Sequence, residues 1–442
     1  MKTQVISGSS VLYNRIPRVE NPFLVYEGLS MKDGTGFALN EDMLSRHILL
    51  LGASGCGKTN TFCQTLKKLR DNIGQDDVIL IFDTKGDFFE LFAEDDDYVI
   101  GNSAKFRNLS YTWNIFDEIL ADGLDEENII LNARELAAAL FYGRGSQSQP
   151  FFCNAAKDLF YGILMHFIRQ AKADPDIWKE RLNPEDLLRA FQSFGPEEYG
   201  KVFRHYPDFR GMLSYIGDGK SAQALGVLGE LNSMLTEYMV GIFAKHRPDR
   251  SISMRRAIRQ KGGKAIFVEY DLSVGETLTP VYRLLIDQAL KEALGREHSE
   301  GRVYVIADEF KLLPKLQHID DALNFGRGLG VRIVAGIQSI DQLYDIYGRD
   351  RGNVIAGGFG NIFAFRTNDE NSRSFISKRF GRNITVYEYM NNQKNVIDYQ
   401  EREGYTVEEW DQMELGTGQA VIGAGYEQPF LFQFQKYDEQ RR

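Results

Sequence analysis

Gly52-Ala-Ser-Gly-Cys-Gly-Lys58-Thr59 has the spacing G-x-x-x-x-G-K-[ST]. Glycines so placed let backbone N–H groups turn inward around a polyphosphate, and a following helix N-terminus adds partial positive charge. Lys58 then reaches the β- and γ-phosphates and Thr59 ligates magnesium. The implied chemistry is binding of ATP with Mg2+, lined by Gly52, Ala53, Ser54, Gly55, Cys56, Gly57, Lys58, Thr59 and Asn60. Cys56 lies inside this loop, where the helix dipole is expected to lower its thiol pKa and a bulky adduct to inactivate. Gly217-Asp-Gly-Lys-Ser221 mimics the end of the motif but lacks the first glycine and a preceding strand. It reads as a loop.

A second chemical group follows the apolar run Val303-Tyr-Val-Ile-Ala307, which ends in Asp308-Glu309. Asp308 can enter a magnesium shell, while Glu309, pointing elsewhere, can polarise a water for attack on the γ-phosphate. Arg327 stands between Gly326 and Gly328, which suits a finger reaching a neighbour's γ-phosphate or a plain surface loop. Gln338 ends another apolar run, where its amide senses phosphate, orients water, or merely caps the strand. Asp83-Thr-Lys-Gly-Asp87 and Arg366 are further candidates for the border of a nucleotide crevice, with solvated turns as the alternative. The runs Arg255 to Lys261 and Arg373 to Arg382 read as solvated basic helix faces.

These residues need elements to hold them. Ile48-Leu-Leu-Leu51 is a buried strand leading into the glycine turn, and Thr59 to Arg70 carries Phe62, Leu66 and Leu69 at helical spacing. Val78 to Phe82, Ala265 to Val268, Val303 to Ala307, Arg332 to Ala335 and Asn361 to Phe365 repeat the continuous apolar pattern of parallel strands covered on both faces. Helix-length segments separate most of them. The fold class expected is α/β, a doubly wound sheet. Between about 110 and 250 the strands disappear and amphipathic helices over Leu131 to Phe141 and Asn154 to Ala171 take over. The expected organisation is a nucleotide domain of 1–109 and 251–442 interrupted by an all-α insertion of 110–250. Near the end, Thr406-Val-Glu-Glu reads as a capping box, with strands at Gly418 to Ile422 and Phe430 to Phe434.

Composition narrows the class further. The 442 residues carry 52 basic and 62 acidic side chains, a formal net charge of −10, with 43% hydrophobic residues. That is globular, not disordered, and argues against a surface coated for nucleic acid, though not against a basic lining inside a ring. Three cysteines cannot build a disulfide framework in a chain this long, no apolar run approaches a membrane span, and no Cys/His cluster has zinc spacing. A reducing cytoplasm fits best.

Taken in order, the sequence resembles the motor domain of type IV secretion coupling proteins, in the FtsK/HerA superfamily of ring translocases. The resemblance is densest in Arg46-His-Ile-Leu-Leu-Leu-Gly to Thr59, in Phe82-Asp-Thr-Lys-Gly-Asp87, and in Ala307-Asp-Glu-Phe-Lys through Phe325-Gly-Arg-Gly-Leu-Gly to Ile337-Gln-Ser. It continues weakly into Leu415-Gly-Thr-Gly-Gln-Ala-Val-Ile. It implies a RecA-like P-loop domain with an inserted all-α domain, a hexamer around DNA, and ATP hydrolysis coupled to DNA translocation in conjugation. It maps the trans-acting arginine finger onto Arg327 and the phosphate-sensing glutamine onto Gln338. It implies relaxase or secretion-system components as partners. Such proteins carry an N-terminal membrane domain, which is not encoded before Gly52; the expectation is a cytoplasmic chain, at the inner face of the membrane through partners or an anchor outside it. A soluble HerA-like motor of DNA processing or phage defence, and a nucleotide-switched recruitment platform, are the alternatives.

Overall fold

The computed structural model describes residues 3–12, 16–28, 36–144, 150–295, 301–313, 315–391 and 396–438. The chain forms two compact units: Met1–Asp97 with Lys261–Phe267 and Ala293–Arg442, and Tyr98–Gln260 with Val268–Glu292. The second unit thus takes in more chain than the expected 110–250: it adds 98–109, 251–260 and 268–292, the last including most of the helix Gly275–Leu294.

The first unit is built on strands β1 (Thr3–Ser7), β2 (Ile48–Leu51), β3 (Val78–Asp83), β4 (Lys264–Glu269), β5 (Val303–Ala307), β6 (Val331–Ile337), β7 (Asn361–Phe365), β8 (Arg382–Asn391), β9 (Val396–Tyr405), β10 (Gln419–Gly423) and β11 (Phe430–Gln433). Within it the main sheet runs β11-β10-β7-β2-β6-β5-β3-β4. From β7 to β3 every pairing is parallel, and β10 and β11 close the far side as antiparallel strands. All four residues of β2 and all seven of β6 are buried, as strands covered on both faces must be. Every strand read from a continuous apolar run is present, with ends moved by a residue or two.

Register decides what these strands present. Leu51 pairs with Ile337, and Ala307 pairs with both Ala335 and Phe82. The carboxyl ends of β2, β6, β5 and β3 therefore form one edge. Helix α1 (Glu41–Leu44) leads into β2, α2 (Lys58–Asn72) joins β2 to β3, α3 (Asp87–Phe92) follows β3, and α4 (Ile319–Asn324) lies between β5 and β6. The aromatic rings of Tyr26, Phe363, Phe432 and Phe434 close around Phe37, fixing β7 and β11 to the amino-terminal hairpin Leu24–Tyr26/Phe37–Leu39.

Two features differ from the sequence reading. β8 and β9 form an antiparallel pair of ten-residue strands, joined on its edge by β1, that the sequence reading did not anticipate; the basic helix expected over Arg373 to Arg382 ends at Phe380. The capping box belongs to Glu408 and Asp411 at the helix Glu409–Met413, not to Thr406, since β9 runs to Tyr405 and the Thr406 hydroxyl bonds Ser9 O at 3.2 Å.

The second unit is helical apart from short strands. Glu126–Leu140, Pro150–Ala173 and Ala222–Tyr238 carry its core. Glu118 is buried at its base and accepts from Trp113 Nε1 (2.8 Å), Ser253 Oγ (2.8 Å) and Arg255 N (3.0 Å). Arg255 is not solvated as its charge run suggested: it is 4% exposed and ion-paired to Glu292 at 2.7 Å. A buried guanidinium needs such partners, because stripping its water otherwise costs several kcal/mol, roughly. Ser221, in the motif-like loop, caps Ala222–Tyr238 by accepting from Ala224 N. Among the described residues no helix is long and apolar enough to cross a membrane.

Candidate nucleotide site

The glycine turn leaves β2 at the sheet's carboxyl edge. Gly52 N donates to Ile337 O (3.2 Å) and Ala53 N to Arg366 O (2.8 Å), so neighbouring strands hold both rims of the loop. Arg366 contributes its carbonyl, while its side chain is exposed. At Gly52 a Cβ would lie 2.5 Å from Phe365 Cβ and 2.8 Å from Cys56 Sγ, a space only glycine fits. Gly57 caps α2 at φ 115°, a left-handed conformation that L side chains rarely take. The loop is thus a turn running into the N-terminus of α2, whose first amides lack intrahelical partners and suit an anionic ligand.

Lys58 opens α2 and curls back over the loop, donating to Gly52 O and, at 3.1 Å, to Ala53 O. Burial lowers its pKa, opposed by the neighbouring Cys56, Glu309 and Asp308. These carbonyls are weak partners for an ammonium, and phosphate oxygens at the same place would be stronger ones. Asn60 differs from its expected role. Its Nδ2 donates to Gln435 O (2.9 Å) and its Oδ1 accepts from Tyr437 N (2.6 Å), so its side chain ties the carboxyl-terminal segment to α2. Gln64, one turn on, bonds the same carbonyl at 2.8 Å.

Cys56 reverses an expectation. It is 1% exposed, and burial pushes its thiol pKa up, against the pull of Lys58. The helix dipole therefore does not make it reactive. Cys63 and Cys153 are also buried. Native protein is expected to react with a maleimide at least about tenfold more slowly than denatured protein. Mass spectrometry over a time course checks this, and fast native labelling of Cys56 would contradict the packing.

Opposite the loop, the ends of β3, β5 and β6 bring acids and amides together. Asp83 is buried and accepts from Lys85 N (3.0 Å), Gly86 N (3.1 Å) and Phe88 N (2.8 Å), closing the turn into α3. Asp308 accepts from Thr84 Oγ1 at 3.3 and 3.4 Å. Burial, then the charges of Asp83 and Glu309, pushes Asp308 up to about 7. A divalent cation would restore it as a carboxylate, since a positive charge favours the ionised form.

Glu309 Oε2 accepts from Gln338 Nε2 at 2.6 Å, and Gln338 N donates to Gln342 Oε1 at 3.0 Å. Glu309 Oε1 stays buried without a hydrogen-bond partner, with Lys311 Nζ 4.0 Å away. An unsatisfied buried carboxylate oxygen is costly unless a donor comes to it, and a reacting water is such a donor. Thr59 and Asp308 are hard oxygen donors at facing ends of one edge. Among the described residues no group of three or more His, Cys, Asp or Glu could hold a metal alone. This donor set fits Mg2+, which takes one or two protein oxygens and completes its shell with phosphates and water.

Arg327 sits elsewhere. It lies in the turn between α4 and β6, before the first residue of that strand, and pairs with Asp42 at 2.6 Å. Seven residues of β6 separate this turn from Gln338, about 23 Å at 3.3 Å per residue. Arg327 and the glycine loop of the same chain occupy opposite edges of the sheet.

Gln342 was missed by sequence reasoning, as were the pairing of Thr84 with Asp308 and the contact Gly418 N to Cys56 O at 2.8 Å. A Cβ on Gly57 would meet Gly418 Cα at 3.0 Å, so the glycines of Gly416-Thr-Gly418 were the available signal.

The sequence matches the family described as type IV secretion-system coupling protein DNA-binding domain over residues 34–402. Protein VirD4 of Agrobacterium fabrum strain C58 is 25% identical over 320 residues, 69% of this chain and 45% of VirD4. Coupling protein TraD of Escherichia coli strain K12 is 23% identical over 309 residues, 69% of this chain and 39% of TraD. The matching part spans less than half of these relatives. Among solved structures, the bacterial conjugative coupling protein TrwBdeltaN70 superposes with TM-score 0.74 at 19% identity, covering 98% of this chain and 94% of that one. Plasmid coupling protein TrwB in complex with ADP and Mg2+ gives 0.71 at 19% identity, covering 98% and 95%. At that identity the likeness is one of fold: a RecA-like P-loop unit with an all-α domain.

Proposed function

Because the chain belongs to the type IV secretion-system coupling protein family, we propose that it is an ATP-driven motor that moves DNA, or a relaxase–DNA substrate, into a conjugation apparatus. The observation that carries this reading is the division of the site. Lys58, Thr59, Asp308, Glu309 and Gln338 share one sheet edge, and Arg327 lies on the other. Half of a hydrolytic site is therefore presented by each edge, and a neighbouring copy completes it.

The loop amides at the N-terminus of α2, together with Lys58, receive the phosphates. Thr59 and Asp308 would hold Mg2+, which would neutralise charge developing on the phosphates. TrwB complexes with ADP and Mg2+ and with the ATP analogue ADPNP support these ligands. Glu309 accepts a proton from the attacking water as its oxygen joins the γ-phosphorus and the bond to the β–γ bridging oxygen breaks, yielding ADP and phosphate. Gln338 orients Glu309 through their hydrogen bond. Arg327 of the adjacent subunit meets charge on the γ-phosphoryl oxygens. Six such subunits form a ring around DNA, with relaxase or secretion components as partners, at the inner face of the cell membrane.

The test is ATPase rate with and without DNA across a protein concentration series. Turnover per subunit is expected to rise steeply as subunits assemble, because a lone subunit has a loop without a finger. DNA is expected to stimulate it. A rate indifferent to concentration in a monomeric protein, and to DNA, would remove the motor and leave a nucleotide-switched recruitment platform.

A further inference from the structure

Arg327 is an exposed arginine with several rotatable bonds, and a finger must arrive in one orientation. The backbone beneath it is fixed. Arg332, 7% exposed, donates through Nη1 to Arg327 O at 3.2 Å and to Val331 O at 2.9 Å. Val331 N closes the turn onto Gly326 O at 2.9 Å. Gly326 admits no side chain, since its Cβ would lie 2.1 Å from Ala322 O.

The side chain is held from a different element. Asp42 Oδ1 accepts from Arg327 Nη2 at 2.6 Å, and Asp42 Oδ2 accepts from Arg46 Nη2 at 2.7 Å. With Arg46 and then Arg327 beside it, the Asp42 carboxyl stays below the usual carboxylate range. Its helix α1 is anchored: Asn40 Oδ1 caps it at Met43 N, Asn361 Nδ2 bonds Met43 O at 2.6 Å, and Met43 and Leu44 are buried. A guanidinium has five donors, and Asp42 engages one edge of the fork.

We infer that Asp42 is a positioning residue for Arg327, holding the guanidinium by one edge so that the other faces the γ-phosphate of a neighbouring subunit. This rests on the reading of Arg327 as a finger acting between subunits. The pair is exposed, at 53% and 55% of the side chains, so its contribution is small but directional.

Asp42→Asn keeps shape and removes charge. In assembled protein at saturating ATP, kcat is expected to fall about fivefold, the upper range for an exposed ion pair, with KM for ATP and oligomer size unchanged. In the Arg327→Ala protein the same substitution is expected to leave the residual rate where it was. A purely structural role would lower both backgrounds alike, and that outcome overturns the inference. So does a kcat within twofold of wild type, or a loss that tracks KM or assembly. Wild-type turnover in Arg327→Ala itself would be a separate result: it removes the finger, and this inference with it.

Discussion

The Glu309→Gln protein is expected to bind ATP and Mg2+ with wild-type affinity and to hydrolyse ATP on the order of 10³-fold more slowly, the middle of the range for a lost general base. An amide fills the same space and can still accept from Gln338 Nε2, now 2.6 Å from Oε2. What it cannot do is take a proton from water. Asp308 keeps its own contact with Thr84, so the metal side of the edge is left intact. Single-turnover hydrolysis alongside equilibrium nucleotide binding separates the two. Normal turnover would show that Glu309 does not activate the water; lost binding would show that it belongs to the nucleotide cradle.

Arg327→Ala is expected to bind ATP almost normally while losing roughly 10³-fold or more in rate, as when phosphoryl transfer loses its arginine finger. Its distance from its own loop makes a sharper experiment possible. Lys58→Ala protein, without the cation over the loop, should lose most ATP affinity and all hydrolysis. Mixed with Arg327→Ala, it supplies an intact finger to an intact loop. Each variant alone is inactive, and some activity should return in verified mixed oligomers. No recovery would point to action within one chain, or to a cycle that tolerates no dead site.

The legible part of this molecule was the part under the strictest physical constraint. Parallel strands covered on both faces must be apolar throughout, so Ile48 to Leu51 and Val303 to Ala307 stood out without further context. The glycine loop was equally clear, since few residues tolerate Gly57 at φ 115°. The β8–β9 pair obeys no such constraint. Ile397 and Tyr399 are 60% and 67% exposed, and Glu401, Arg402 and Glu403 follow, so no face alternation marks it. Gln342 and the partner of Thr84 were hidden for another reason: Gln338 meets Gln342 across a helix turn, and Asp308 meets Thr84 through tertiary folding, which composition does not reveal. For Cys56 the helix dipole was weighed and burial was not, although burial decides the direction of its thiol's shift.

The opposite placement of Arg327 and Lys58 also gives the subunit a direction. If Arg327 serves a neighbour's nucleotide, each copy is a brick with a socket and a peg, and identical copies associate head to tail. A two-fold pair, in which one patch meets itself, would then set finger against finger or loop against loop and leave both unsatisfied. Such bricks close only when the turn between successive copies divides a full rotation, and otherwise wind into an open spiral. In a closed ring every site is equivalent. In a spiral one end carries an unused socket and the other an unused peg, so a single chain sequence yields one site at a time that differs from the rest.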